Sequence, residues 1–146
     1  MRPFDLTIRN ATYACFVELG RAPARADIAA LLDVAERTVD DAWERLHDEH
    51  AIVLDSAGRL LMANPFSAVP TPFRVTADGR RWNANCAWDA IGISAALQCD
   101  GEIETTCADC DEPIGLAIAD ATPSDDSLLF HCLVPANRWW NDIAFT

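Results

Sequence analysis

The sequence predicts an α+β fold, with a winged-helix-like part of three helices followed by a small mixed β-sheet that holds one buried helix. Three observations support this class. Three helix-like stretches precede two short apolar runs joined by a turn, residues 86–97 are apolar almost throughout, and the later apolar runs are short and strand-like. With 146 residues, 51% of them hydrophobic, the chain is large enough to bury one core.

The first 64 residues carry the pattern of a winged helix. Gly20 and Pro23 end the first predicted helix. In the third, Val39, Trp43 and Leu46 form an apolar stripe with helical spacing. The apolar runs AIVLD and RLLMAN follow, joined by a Ser-Ala-Gly turn that is typical of a hairpin. The predicted helices are 5–19, 25–33 and 36–49.

Residues 65–146 form the second predicted part, which is expected to share one core with residues 1–64. After the proline-containing connector NPFSAVPTPF, the segments PFRV and RRW are expected to be extended, and a buried helix follows at 86–97. The final RWWNDIAF is predicted to make a helical turn that leads into a further strand. Other strands are predicted at 102–106, 114–119 and 128–134.

The charge of the chain argues against nucleic acid as a partner. The formal net charge is -12, and all eleven basic residues are arginine. The third predicted helix, where a winged-helix protein would read DNA, carries five acidic side chains among residues 36–48 and would repel a phosphate backbone. We therefore expect the winged helix to be a packing scaffold. Neither a run of about 18 apolar residues nor a charged-then-apolar leader is evident, so we expect a cytoplasmic protein without a membrane partner.

The six cysteines are expected to be free thiols in a reducing compartment, which favours soft-metal or thiol chemistry. Asn85 is a suitable N-cap, so Cys86 would fall in the first helical turn, where the helix dipole lowers a thiol pKa. Asp89 lies three residues later on the same face, in apolar surroundings where a carboxylate is costly. The alternative is a packed cysteine beside an acid that pairs with an arginine.

Two further groups of residues contain side chains that can react or bind a metal. The CADC motif, Cys107 to Cys110, is compatible with half of a zinc site, a redox pair or a tight turn, and the residues after it favour a turn between strands. His131 and Cys132 lie in the apolar run LLFHCLV, where strand alternation would place them on opposite faces. In that position Cys132 would act as a small hydrophobic residue.

The segments MANPFSAVPTPFRV, RRWNANCAWDAIGISAAL, ETTCADCDEP and VPANRWWNDIAFT resemble the organomercurial (alkylmercury) lyase family. The resemblance extends over nearly the full length. It implies catalytic roles for Cys86 and Asp89 together with a second, later cysteine, and a mainly structural role for Cys107. That second cysteine is expected just beyond Thr146, and Cys132 is the nearest stand-in along the chain. Cys99, Cys107 and Cys110 are the other candidates.

The resemblance implies an enzyme that cleaves carbon–mercury bonds by thiolate attack and protonolysis, giving a hydrocarbon and Hg(II). Such a protein would detoxify organomercury compounds and so contribute to mercury resistance. Mercury would contact Cys86 and Asp89 transiently, small thiols or a mercuric reductase would accept Hg(II), and no cofactor is expected. The alternatives are a non-catalytic mercury- or soft-metal-binding thiol protein of the same fold, and a winged-helix regulator or zinc-ribbon-like module. In the last case Cys107 and Cys110 would be zinc ligands.

Overall fold

Four helices and eight strands build residues 1–143, the part of the chain described by this computed structural model. The α+β class is confirmed. The helices are α1 (Pro3–Leu19), α2 (Arg25–Leu32), α3 (Glu36–Asp48) and α4 (Ala87–Leu97), and a 3₁₀ turn covers Ala136–Asn141. The strands are β1 (Val53–Leu54), β2 (Leu60–Ala63), β3 (Phe66–Ser67), β4 (Phe73–Ala77), β5 (Arg80–Ala84), β6 (Gly101–Thr106), β7 (Pro113–Ala119) and β8 (Thr122–Pro123). No helix within this part of the chain has the length and apolar character needed to cross a membrane.

The three N-terminal helices match the predicted positions closely. Gly20 adopts a left-handed φ of 63°, and its N–H bonds to the Phe16 carbonyl, which ends α1 as the sequence indicates. The stripe of Val39, Trp43 and Leu46 on α3 is buried. Trp43 also donates from Nε1 to the hydroxyl of Thr12 on α1 at 3.0 Å, so the buried indole N–H has a partner.

A buried ion pair joins α1 to α3. Asp5 is 1% exposed, and Arg45 donates to both of its oxygens, with Nη2 2.6 Å from Oδ1 and Nε 3.1 Å from Oδ2. The hydrogen bonds from Arg45 lower the pKa of Asp5 against the opposing effect of burial. The stability that Asp5 contributes is therefore complete above its ordinary pKa of about 3.9 and is lost as the pH falls through its lowered folded-state pKa.

Replacing Arg45 with alanine is expected to destabilise the protein by about 2–4 kcal/mol, because a buried carboxylate would lose its partner. The matched control is Arg37→Ala, since Arg37 is 80% exposed and forms an i,i+4 pair with Asp41 on the surface of the same helix. That variant is expected to cost less than about 0.5 kcal/mol. Urea unfolding at neutral pH measures the free energy of unfolding of both variants. Equal losses of stability would show that the buried pair contributes no more than the surface pair.

The sheet is antiparallel throughout, so the expectation of a mixed sheet was wrong. Its strand order is β1-β2-β3-β5-β4-β6-β7-β8, and every neighbouring pair is antiparallel. A helix between two strands commonly connects parallel neighbours. Here α4 does connect two strands that run in the same direction, β5 and β6, but β4 lies between them.

The hairpin strands β1 and β2 continue through β3 into the same sheet as β4–β8, and both parts of the chain contribute to one cluster of buried side chains. Phe66 of β3 stacks on Phe16 of α1 with ring centroids 5.4 Å apart. Trp82 of β5 is buried beside Phe66 and donates from Nε1 to the Phe16 carbonyl at 2.8 Å. These contacts hold the helices against the sheet from which α4 emerges.

Two predicted strands near the C-terminus have different outcomes. The predicted strand 128–134 is wrong, since those residues form no strand and Leu129 is 94% exposed. An apolar run becomes a strand only where it pairs with a sheet edge, and here only Thr122–Pro123 pair with the outer edge of β7 before the chain leaves the sheet. The turn in RWWN is present as the 3₁₀ turn, while the strand expected after it falls largely on residues 144–146, outside the described residues.

Gly101, the first residue of β6, is packed too closely to accept a side chain. A Cβ there would lie 2.6 Å from Ser94 Oγ and 3.2 Å from the Thr76 carbonyl oxygen. We expect Gly101→Ala to destabilise the protein by about 1–3 kcal/mol, because buried neighbours must move. Gly115→Ala on β7 is the control, since nothing lies within 4 Å of its Cβ position. Thermal unfolding of the two variants measures the difference, and a similar Tm for both would contradict the prediction.

Candidate active site

Cys86 is the N-cap residue of α4, at the point where β5 leads into the helix. The predicted N-cap, Asn85, was one residue too early: Cys86 has an extended backbone with φ of −152°, and its carbonyl accepts the first helical hydrogen bond, from Ala90, at 2.9 Å. The thiol is half-buried. Its sulfur makes no full capping hydrogen bond, yet the N–H groups of Trp88 and Asp89 point towards it and act on its charge.

The pKa of the Cys86 thiol is raised, so the prediction of a thiol acidified by the helix dipole was wrong. Burial is the largest cause of the rise, and the negative charges of Asp89 and Cys132 add to it. The N–H groups of Asp89 and Trp88 oppose the rise without cancelling it. At neutral pH the resting form is therefore the protonated thiol, which must give up its proton when it binds a metal.

Asp89 lies on the first turn of α4 and is only 8% exposed. Its Oδ2 accepts a hydrogen bond from Asn85 Nδ2 at 2.9 Å and a longer one from Asn64 Nδ2 at 3.5 Å. Both of these donors are neutral amides, not the arginine of the alternative interpretation. Burial raises the pKa of Asp89, and the hydrogen bond from Asn85 lowers it in part. The site thus holds a carboxyl group that can change its protonation state more easily than a solvated one.

Tyr13 and Asn64 form an outer layer around this carboxyl group. The Tyr13 hydroxyl donates to the Asn64 carbonyl at 3.0 Å, which connects α1 to the end of β2. The pKa of Tyr13 is raised, mainly by burial and in part by the charge of Asp89. Sequence reasoning missed both residues, because no motif links positions so far apart in the chain. Asn85 was singled out, but for a different role.

Cys132 is brought towards Cys86 by the C-terminal segment. It is exposed, and its thiol donates to the Val134 carbonyl at 2.9 Å. Its sulfur lies near enough to Cys86 that a thiolate at this position would raise the pKa of Cys86. The expected packing of Cys132 as a small hydrophobic residue in a strand was wrong. Of the remaining candidates, Cys99 follows the C-terminal end of α4, away from Cys86 along the helix.

Cys107 and Cys110 lie in the turn between β6 and β7, which is the turn that the sequence favoured. The pKa of Cys107 is lowered, chiefly by the N–H of Asp109, with help from the N–H and the thiol of Cys110. The two thiols thus lie close enough for Cys110 to act on the pKa of Cys107. Within residues 1–143, no group of three or more His, Cys, Asp or Glu side chains has the geometry of a metal site.

A cavity of about 440 Å³ lies at the other end of α4, between that helix and β7–β8. Its lining includes Ile91, Ser94 and Cys99 but neither Cys86 nor Asp89, so we do not assign it to the site. Of the tryptophans near the site, Trp82 belongs to the core, whereas Trp88 is exposed beside Asp89.

Replacing Asn85 with alanine is expected to raise the pKa of Asp89 further, because the amide that stabilises the carboxylate is lost. Asn64→Ala is the comparison variant and should raise the pKa of Asp89 less. The Asn64 amide lies 3.5 Å from Asp89 Oδ2, whereas the Asn85 amide lies 2.9 Å from it. Carboxyl ¹³C chemical shifts followed over pH measure both values. An unchanged Asp89 titration in Asn85→Ala would contradict the assignment of this hydrogen bond.

The family model of MerB, alkylmercury lyase, matches residues 66–146, more than half of the chain and including Cys86 and Asp89. The chain belongs to the alkylmercury lyase family. The resemblance inferred from the sequence is therefore confirmed. As an alkylmercury lyase family member, the chain is related to enzymes that act on organomercurial compounds.

The fold agrees with a solved member of this group. The crystal structure of the mercury-bound form of MerB2 superposes with a TM-score of 0.68 at 22% sequence identity, over 86% of this chain and 60% of that one. The chain thus spans less than two thirds of the length of MerB2. A comparison with curated proteins gives no match.

Proposed function

We propose that this protein cleaves carbon–mercury bonds by thiolate attack and protonolysis, with Cys86 as nucleophile and Asp89 as proton carrier. The observation that carries the proposal is the pairing of a protonated thiol with a buried carboxyl group on one helical turn. Mercury is a soft metal and prefers sulfur to oxygen ligands. The family membership supports the same substrate class.

In the first step the Cys86 sulfur forms a bond to the mercury of R–Hg⁺, and its proton passes to the Asp89 carboxylate. Because burial raises the pKa of Asp89, the carboxylate is basic enough to accept that proton. A second thiol, for which Cys132 is the candidate, then adds its sulfur to mercury and releases its proton to solvent. Two sulfur ligands push electron density onto the metal and weaken the carbon–mercury bond.

In the second step Asp89 donates its proton to the carbon as the carbon–mercury bond breaks. The products are the hydrocarbon R–H and Hg(II) held by two thiolates, so each proton and each bonding electron pair is accounted for. Hg(II) then leaves by exchange with small thiols or with a mercuric reductase. Asn85 and Asn64 keep the carboxyl group oriented during this transfer. No cofactor takes part.

The winged-helix part, residues 1–64, has a supporting role in this proposal. Tyr13 on α1 anchors the Asn64 carbonyl, and the Asn64 amide reaches Asp89 on α4, in the part formed by residues 65–146. The acidic surface of α3 is unsuited to DNA, so the three helices serve to position the reacting groups. The cellular setting that follows is cytoplasmic detoxification of organomercury.

The proposal is tested by incubating the protein with methylmercury or phenylmercury and an excess of a small thiol. Methane or benzene is expected in amounts above the thiol-only reaction and is measured by headspace gas chromatography. Mercury retained on the protein without any hydrocarbon would instead support a non-catalytic mercury-binding protein of the same fold.

A further inference from the structure

We propose that Cys107 and Cys110 form a two-thiolate site that binds Hg(II) separately from Cys86. The choice of Hg(II) as the ligand rests on the proposed function, since Hg(II) is the metal product of that reaction. The existence of a dithiol site rests only on the geometry of the turn between β6 and β7.

The turn holds both sulfurs on one side. The Asp111 N–H donates to the Cys107 carbonyl at 3.0 Å, and the Cys107 N–H donates to the Glu112 carbonyl at 2.9 Å, which closes the loop tightly. The N–H groups of Asp109 and Cys110 and the Cys110 thiol lie near enough to the Cys107 sulfur to lower its pKa. The closed turn thus brings two sulfur ligands together.

A pair of thiolates is a suitable ligand set for Hg(II), because this soft ion prefers sulfur to oxygen and nitrogen ligands. Hg(II) delivered on two small thiolates would exchange them for the two protein sulfurs, releasing two small thiols as the cysteine protons move to the leaving sulfurs. No change of oxidation state occurs. Cys110 is exposed and Cys107 is half-buried, so an incoming complex can reach the pair.

The register of the sheet brings this pair to the same end as Cys86. Arg74 of β4 pairs with Asn83 of β5 on one side and with Glu104 of β6 on the other. Cys86 lies three residues after Asn83, and Cys107 lies three residues after Glu104. The two strands run in the same direction with one strand between them, so they are about 10 Å apart. A metal released from Cys86 would therefore meet a two-sulfur ligand at the same edge of the sheet.

The test uses the full chain carrying Cys86→Ser and Cys132→Ser, so that neither proposed catalytic thiol remains. Inorganic Hg(II) is added in a large excess of 2-mercaptoethanol, and the metal retained after desalting is measured. One equivalent is expected to stay bound, because two linked sulfurs bind as one ligand of high effective concentration. Adding Cys110→Ser should weaken retention about 100-fold or more. Cys99→Ser in the same background is the control and should leave retention unchanged.

Equal retention with and without Cys110 would overturn the dithiol site, and circular dichroism of each variant would exclude misfolding as the cause. Retention of Zn(II) but not Hg(II) by the same pair would overturn the choice of metal. The assay is independent of turnover, since it lacks Cys86 and uses no organomercurial. A wild-type protein that releases no hydrocarbon would overturn the lyase proposal and leave this one standing.

Discussion

Replacing Cys86 with serine is expected to reduce hydrocarbon release from methylmercury by at least about 10³-fold, the scale seen when a nucleophile is removed. A serine hydroxyl is a hard oxygen ligand with a far higher pKa than a thiol, so it neither competes for mercury nor gives its proton to Asp89. The remaining thiols would still bind mercury, but the thiol that shares a helical turn with the proton carrier would be lost. Rates are measured as methane per protein per unit time at saturating substrate.

The control for this variant is Cys15→Ser. Cys15 is a partly buried thiol of α1 that packs against the core and belongs to neither proposed site. It should keep activity within about twofold even if its stability falls slightly. If Cys15→Ser and Cys86→Ser lost activity equally, the loss would reflect general damage to the fold. Full activity in Cys86→Ser would remove Cys86 from the mechanism.

The elements that position the site could be predicted from local pattern. Helix α4 was expected at 86–97 and is Ala87–Leu97, because a long, almost unbroken apolar run predicts a helix. The expectation that this helix is buried was wrong for one of its faces, since Trp88 is 67% and Ile91 44% exposed. The closeness of Cys86 and Asp89 follows from the same helix, since residues three apart share a face. Hydrophobicity alone failed at 128–134, because a strand also needs a pairing partner elsewhere in the chain and these residues have none within residues 1–143.

The pKa of Cys86 could not be predicted in the same way. The helix-dipole argument gave the wrong direction for the pKa of Cys86, because it counted only groups on α4 and left out burial. Burial depends on packing against elements that are remote in sequence. Asp89, on the same turn, shows this, since its carboxyl group accepts a hydrogen bond from Asn64 at the end of β2. A local motif thus identifies which groups meet, whereas their protonation depends on the packing of the whole chain.

Replacing Asp89 with asparagine is expected to lower hydrocarbon release by about 10²–10⁴-fold, the usual contribution of a positioned proton carrier. The amide keeps the shape and can still accept the hydrogen bond from Asn85, but it cannot carry a proton between sulfur and carbon. Mercury binding through Cys86 should persist, so the variant would retain mercury while releasing little methane. Unimpaired methane release would exclude Asp89 as the proton carrier.

The same substitution is expected to stabilise the fold at neutral pH. Because burial raises the folded-state pKa of Asp89, its contribution to stability is complete below the ordinary aspartate pKa of about 3.9 and is lost as the pH rises through the raised value. Asp89→Asn removes that loss, so its Tm should exceed the wild-type Tm at pH 7. The increase should be about 2–4 °C per kcal/mol of stability gained, and it should shrink towards pH 4.

Asp89→Ala is the matched control, since it also removes the charge but leaves a void and an unpaired Asn85 amide. Calorimetry at both pH values measures these differences, and an asparagine variant less stable than wild type at pH 7 would show that the buried carboxylate carries no cost.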